Sequence, residues 1–271
     1  MSSPNTISSD KLIRLIGLPH CPRLLDVRLD DDFEAEPVLI PGSVRRSWQE
    51  VEAWSQAVGE DAVVICRCGA KISHGVAAWL RHHGVDATVL EGGMEAWRAA
   101  GYPAVRGDRL PPRDQRGRTL WVTRSRPKID RIACPWLVRR FIDPEAVFLF
   151  VAPAEVRAVA ERFAATPFDI EDTFWSHRGE NCTFDTMVEE FGLTFDPMLR
   201  LAAIVRAADT AKLDTVKEAS GLLALSLGLS RMFANDLEQL DAGMVIYDAL
   251  YRWCRDATEE THNWPAGKVK V

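Results

Sequence analysis

The residues best placed to do chemistry lie in one short loop, Cys66-Arg67-Cys68-Gly69-Ala70-Lys71. An apolar run, Ala62-Val63-Val64-Ile65, precedes it, and residues at helical spacing (Val76, Trp79, Leu80, His83) follow. A strand, a cysteine, a glycine-bearing turn and a helix start make an anion cradle. The turn aims successive backbone N–H groups inward, and the helix N-terminus adds partial positive charge. A sulfur at the centre is favoured as the thiolate, which is its nucleophilic form. Arg67 and Lys71 add cations, and Cys68 is a second thiol able to form a disulfide with Cys66 or to resolve a persulfide on it. The same pattern fits phosphatases whose cysteine loop is closed by arginine, so the loop alone leaves the reaction open.

Two further sets lie in the second half. Arg124, Arg126, Lys128 and Arg131, with Arg139 and Arg140 beyond them, concentrate positive charge at one strand–helix junction, which would attract an oxyanion such as sulfate. Arg131 lies beside the apolar Ile129 and Ile132, so it is the one of these expected to be partly buried. His177, Cys182 and Asp185 form a compact set of candidate metal or redox ligands. Histidine and cysteine suit zinc or another transition metal, and a carboxylate would complete three ligands around an open position. The same residues better suit a loop lined by His177 and Cys182, with Asp185 capping or ion-pairing the helix after it. Asp130 and Cys134, four apart, share a helical face if that helix is continuous.

The elements that must position these groups can be read from periodicity. Arg23 to Arg28, Ala62 to Cys66 and Ala87 to Leu90 read as strands, and Trp48 to Ala57 as a short helix. Gly84 ends the helix after the cysteine loop, and Gly92-Gly93 opens the next. Alternating strands and helices imply a parallel α/β sheet. Asp30-Asp31-Asp32 reads as a solvated loop and residues 1–10 as a disordered arm. Arg106 to Arg118 is polar, rich in Pro and Gly and without period, which marks a linker.

Beyond the linker, Thr119 to Thr123 and Val147 to Val151 read as strands. Ile129, Ile132, Ala133, Trp136, Leu137 and Phe141 mark a helical face that Pro135 either kinks or starts. Asp196-Pro197 suggests an N-cap followed by proline at the first helical position. Helices are expected from Thr215 to Leu227 and from Asp236 to Arg255. The second carries Leu237, Leu240, Met244, Tyr247 and Tyr251 on its buried stripe. The expected division is a domain at 11–106, a linker at 107–118, a mainly helical α+β domain at 119–257 and a flexible tail at 258–271.

A chain of 271 residues, 47% hydrophobic and 27% charged, has material for two cores. A net charge of −6 argues against a general nucleic-acid partner. No stretch approaches the roughly 18 apolar residues of a spanning helix, so no membrane partner is expected. Met1 to Thr6 lacks the pattern of an export signal, so the six scattered cysteines are expected to be reduced thiols in the cytoplasm. No P-loop, dinucleotide fingerprint or Ser-His-Asp arrangement is evident.

Asp26-Val27-Arg28, Ile40-Pro41-Gly42-Ser43, the Cys66 loop and Glu91-Gly92-Gly93-Met94-Glu95-Ala96-Trp97 occur in the order and spacing of a rhodanese homology domain. Roughly residues 10–105 resemble that family. The resemblance implies a doubly wound α/β fold with a parallel sheet. It also implies a site containing Asp26, Arg28 and the loop from Cys66 to Ile72, with Cys66 accepting sulfane sulfur as a persulfide and passing it on. Lys71 stands where the family often has arginine, which keeps the charge but loses bidentate anion recognition.

Trp121 to Leu137, Pro167-Phe168-Asp169-Ile170, Ser176 to Asp185 and Val245 to Tyr251 resemble the C-terminal domain of chromate-resistance protein B, over roughly residues 119–256. Together the resemblances imply a rhodanese-type sulfurtransferase linked to chromate resistance, with a thiosulfate-like sulfur donor and a thiol acceptor. Sulfur transfer itself calls for no cofactor, while the second domain is a candidate for a transition metal and for a chromate or sulfate-like oxyanion. Chromate mimics sulfate and consumes thiols, so the pairing is chemically coherent. The alternative is a chromate-responsive sensor or regulator, with the rhodanese module as a redox or docking element through Cys66 and Cys68.

Overall fold

The structure is a computed structural model and describes residues 5–260. In chain order the first half runs β1 (Thr6–Ile7), α1 (Ser9–Leu15), β2 (Arg23–Asp26), α2 (Asp30–Ala35), β3 (Val38–Leu39), β4 (Ser43–Arg45), α3 (Val51–Trp54), β5 (Asp61–Ile65), α4 (Lys71–His82), β6 (Asp86–Leu90), α5 (Gly93–Ala99) and β7 (Val105–Arg106). The second half runs β8 (Leu120–Arg124), α6 (Asp130–Leu137), β9 (Val147–Val151), α7 (Val156–Phe163), β10 (Thr166–Pro167), α8 (Thr183–Phe191), α9 (Asp196–Asp209), α10 (Ala219–Met232) and α11 (Asp236–Asp256). No helix among the described residues is long and apolar enough to cross a membrane.

The first half is an α/β unit built on a five-stranded sheet in the order β1-β6-β5-β2-β4, with every neighbouring pair parallel. The central β5 is apolar after its first residue because helices cover both of its faces. Asp26 pairs with Ile65 in register, so β2 and β5 end side by side just before Cys66. In the second half, β8 lies between β10 and β9 in a parallel three-stranded sheet, and the rest is largely helical.

The two halves share one core. Leu12, Ile16 and Leu24 from the first half belong to the same buried cluster as Trp136, Phe141 and Tyr251 from the second. Gly17, at φ +79°, sits where a Cβ would stand 2.5 Å from the Phe141 ring and 2.7 Å from that of Tyr251. The Gly42 N–H donates to the Phe141 carbonyl at 2.6 Å, which stitches the halves further. The segment expected as a linker is also tied down. Arg118 pairs with Asp114, and Arg113 reaches the buried Asp143.

Several local expectations need correction. Thr6 and Ile7 add an edge strand to β6, and the Ser8 side chain accepts from Lys11 N–H to cap α1, so residues 5–10 are ordered. Residues 1–4 of the expected arm and 261–271 of the expected tail lie outside the described residues. Asp30 to Asp32 form the first turn of α2, where acidic residues complement the helix dipole. Pro135 does not start α6, which begins at Asp130, runs through the proline and widens into a π turn over Val138–Ile142. The helix expected from Thr215 begins at Ala219. Phe195 is the N-cap of α9, so Asp196 and Pro197 occupy its first two positions. Leu237 is 49% exposed, whereas Leu240, Met244, Tyr247 and Tyr251 are buried as expected.

Candidate functional site

Cys66 is the first residue beyond β5, and the backbone reverses through Gly69 at φ +66° before α4 begins. Its Sγ accepts a hydrogen bond from the Ala70 N–H at 3.3 Å and lies 3.1 Å from Ser73 Oγ. Ser73 Oγ also donates to the Ala70 carbonyl at 2.8 Å. A hydroxyl has one proton and two lone pairs. While Cys66 is a thiol, Ser73 can keep its bond to Ala70 and accept from sulfur; when the sulfur ionises, the hydroxyl can turn and donate to it. The first N–H groups of α4 have no partner within the helix and add their partial charge at the same end.

A second helix start holds the loop from behind. The first-turn amides of α5, Met94 N–H and Glu95 N–H, donate to the carbonyls of Cys66 and Arg67, both at 3.0 Å. The approach leaves no room for side chains. A Cβ on Gly93 would stand 2.3 Å from the Cys66 oxygen, and one on Gly69 2.5 Å from the Leu90 oxygen. Gly69 and Gly93 are therefore required by contact as well as by their positive φ.

Cys66 is 5% exposed, while Arg67, Cys68, Ala70 and Lys71 around it are open to solvent. Arg67, 64% exposed, turns its guanidinium to Glu95 at 2.7 Å and Asp32 at 3.3 Å. Lys71 makes no ion pair among the described residues and stands at the first position of α4. Asp26 and Arg28 form a buried pair at 2.6 Å, and Arg28 also donates to the Glu36 and Val38 carbonyls. Their hydrogen bonds brace the end of β2 against the segment before β4; none reaches the cysteine loop. Ser73 was not singled out in the sequence. Its signal was a hydroxyl at the third position of the helix following the loop.

In the second half, Arg124 ends β8, Asp130 opens α6, Asp169 follows β10, His177 lies between β10 and α8, and Asp209 ends α9. They meet beyond the carboxyl ends of β8 and β10, where open parallel sheets bind ligands. His177 Nε2 stands 3.2 Å from Asp209, 3.4 Å from Asp130 and 3.5 Å from Asp169. Hydrogen bonds to Asp130 and then Asp169 push His177 up to about 10, so it is an imidazolium at neutral pH. Burial first, then repulsion by Asp130 and Asp169, pushes Asp209 up to about 7. Burial also acts to raise Asp169, but hydrogen bonds from His177 and Arg124 outweigh it and leave this carboxyl below its usual value.

The turn presenting Asp130 is strained. Ile129 has φ +36°, an outlier for a β-branched residue, and is pinned by Ser226 Oγ accepting from its N–H at 3.1 Å and by Tyr247 O–H donating to its carbonyl at 3.0 Å.

The sequence-predicted residues fall around this cluster in different ways. Arg124 and Arg131 both pair with Asp169 Oδ2, at 2.9 and 3.2 Å. Arg131 is partly buried and also donates to the Arg124 and Ser125 carbonyls. Arg126 is spent on Ser230 and the Phe233 carbonyl, and Lys128 is exposed. Cys182 is fully buried at the N-cap of α8, where burial and then Asp130 push its thiol well up. Asp185 accepts from the Cys182 N–H at 3.0 Å and pairs with Arg206 at 2.6 Å, completing a capping box. Among the described residues, the ligand-type atoms lying within 4.8 Å of one another belong to Asp130, His177 and Asp209. Of the expected trio, only His177 is in that group.

Residues 8–100 match the family model of the rhodanese-like domain, so the first half of the chain is a rhodanese-like domain. Residues 121–254 match the model described as ChrB, C-terminal domain, and the chain as a whole joins these two modules. Protein ChrB of Cupriavidus metallidurans is 36% identical over 144 residues, which are 53% of this chain and 43% of that protein. This chain therefore spans less than half the length of that relative. Among solved structures, a rhodanese-related protein from Thermoplasma volcanium is 25% identical with a TM-score of 0.33, covering 37% of this chain and 97% of that one. A thiosulfate sulfurtransferase from Pseudomonas aeruginosa is 25% identical with a TM-score of 0.35, covering 39% of this chain and 20% of that one.

Proposed function

We propose that this chain is a sulfurtransferase that carries sulfane sulfur as a persulfide on Cys66, and that its ChrB-type domain links this thiol chemistry to chromate resistance in the cytoplasm. The observation that carries the proposal is the Cys66 sulfur held between a backbone N–H donor and the Ser73 hydroxyl, 3.3 and 3.1 Å away, at the start of α4. These groups favour negative charge on sulfur before and after transfer.

With a thiosulfate-type donor, the Cys66 thiolate attacks the outer sulfur. A bond forms between Cys66 and that sulfur, the donor's S–S bond breaks, and sulfite leaves with the bonding pair. An acceptor thiolate, or cyanide in an assay, then attacks the outer persulfide sulfur and frees the Cys66 thiolate. The cycle is closed in atoms and electrons and needs no cofactor. Ala70 N–H and the Ser73 hydroxyl stabilise the anionic sulfur, Lys71 attracts the anionic donor, and Cys68, a free and exposed thiol of the same loop, is the candidate to resolve the persulfide. Thiosulfate:cyanide turnover should fall to background in Cys66→Ala; equal rates in wild type and variant would end the proposal.

A regulatory role for the second domain, responding to chromate, is favoured by one observation: Arg124 Nε is buried and has no hydrogen-bond partner. A donor in that state invites an oxyanion. Chromate titration followed by tryptophan fluorescence separates the two roles. Saturable binding with no thiosulfate turnover would favour the sensor.

A further inference from the structure

Asp130, Asp169, His177 and Asp209 bring three carboxylates to one imidazole, and their charges are unevenly met. Arg124 and Arg131 both act on Asp169, at 2.9 and 3.2 Å, whereas among the described residues Asp130 and Asp209 have His177 as their one ion-pair partner. Asp130 is 1% exposed. One of its oxygens accepts the Thr183 N–H at 2.6 Å, but the other, Oδ1, is buried with no hydrogen-bond partner. An orphaned buried carboxylate oxygen is costly unless something positive binds it. His177 is 42% exposed, so the cluster has an entrance from solvent.

The spacing suits a metal ion. Bonds of about 2.0–2.2 Å at tetrahedral angles put donor atoms roughly 3.3–3.6 Å apart. His177 Nε2 stands 3.2 Å from Asp209 Oδ2 and 3.4 Å from Asp130 Oδ2, the oxygen that also accepts from Thr183 N–H, and ligand-type atoms of all three residues lie within 4.8 Å of one another. We propose that Asp130, His177 and Asp209 form a site for a divalent first-row transition cation, bound by the His177 Nε2 and one oxygen of each aspartate. Neutral imidazole with two carboxylates suits Mn²⁺, Fe²⁺ or Zn²⁺, so the cation displaces the proton on His177 Nε2 and releases it to solvent, and three protein ligands leave positions open for water or a ligand. Asp169 stays outside the set because its charge is already committed to the two arginines.

The test uses the full-length protein without a histidine tag, stripped with a chelator. It is titrated with Mn²⁺, followed by loss of the free-ion electron paramagnetic resonance signal, and with Zn²⁺ by calorimetry. Manganese is included because the thiols of this chain compete for zinc. We expect one equivalent of at least one of the two ions per chain. Its affinity should fall at least about tenfold in both His177→Gln and Asp209→Asn, since even outer-shell changes commonly cost that much. Cys66→Ala should bind as wild type does, which keeps this outcome separate from sulfur transfer. Circular dichroism verifies that each variant is folded. No stoichiometric binding of either ion, or wild-type affinity retained in either variant, overturns the site.

Discussion

The two functional regions are built in opposite ways. The sulfur loop is a site of backbone: from Cys66 to Ser73 it is contiguous, its charge-stabilising groups are an amide, a hydroxyl and a helix end, and glycines let it lie against α5. The His177 cluster is a site of side chains. Its members come from β8, α6, the segments after β10 and the end of α9, and they meet through the folding of a sheet. A contiguous backbone site tolerates changes in the side chains around it and fails when a glycine gains a Cβ. A dispersed cluster tolerates no change of a charged member without shifting the protonation of the rest.

That contrast can be broken at several points, and the largest expected effect lies outside both regions. Asp26→Asn leaves the Arg28 guanidinium buried without its partner, which should cost roughly 3–5 kcal/mol in urea unfolding. Because the pair makes no bond to the cysteine loop, turnover per folded molecule should be unchanged; a lost rate in folded protein would return the pair to the sulfur site. Gly93→Ala forces a methyl group toward the Cys66 oxygen at 2.3 Å and should cost on the order of 1–3 kcal/mol with most of the sulfur transfer. Wild-type turnover in that variant would mean that the loop is not held as described.

Ser73→Ala removes the hydrogen bond to a charged sulfur, worth roughly 1.5–3 kcal/mol, together with the bond to the Ala70 carbonyl. A tenfold or greater loss of kcat/KM in protein that remains folded is the expected result. The smallest effect is a matter of slope. His177, raised from 6.5 to about 10, binds its proton more tightly when folded, so its contribution is complete below about pH 6.5 and is lost as pH rises toward 10. Asp209, raised from 3.8 to about 7, likewise favours acid and loses its contribution between those values. The metal-free protein should therefore show a Tm that falls from pH 7 to pH 10, and His177→Gln should flatten that fall. Parallel profiles would remove His177 from the charge network.

The sulfur loop was legible in the sequence because its physics is local. Strand, cysteine, glycine and helix start are neighbours in the chain, whereas Gly92-Gly93 reads only as a helix start and its close approach to the Cys66 carbonyl is visible in the fold alone. The parallel sheet was legible from its apolar runs. The edge strand at Thr6 was hidden because two residues carry no period, and α2 was hidden because three aspartates look like a loop until the helix dipole is considered. The His177 cluster could not be read from spacing. Asp130 and Asp209 are 79 residues apart, and what joins them is the order of β10, β8 and β9 together with an isoleucine at positive φ that no composition signals. Cys182 and Asp185 stood near His177 in sequence, but the fold assigns them to the start of α8.

The central claim is that Cys66 becomes a persulfide, and the most direct measurement is the mass of the peptide containing it after the folded protein meets thiosulfate without reductant. The account predicts a gain of one sulfur atom on Cys66, removed by cyanide and absent in Cys66→Ala. An unmodified Cys66, or the added sulfur on Cys68 alone, would contradict it.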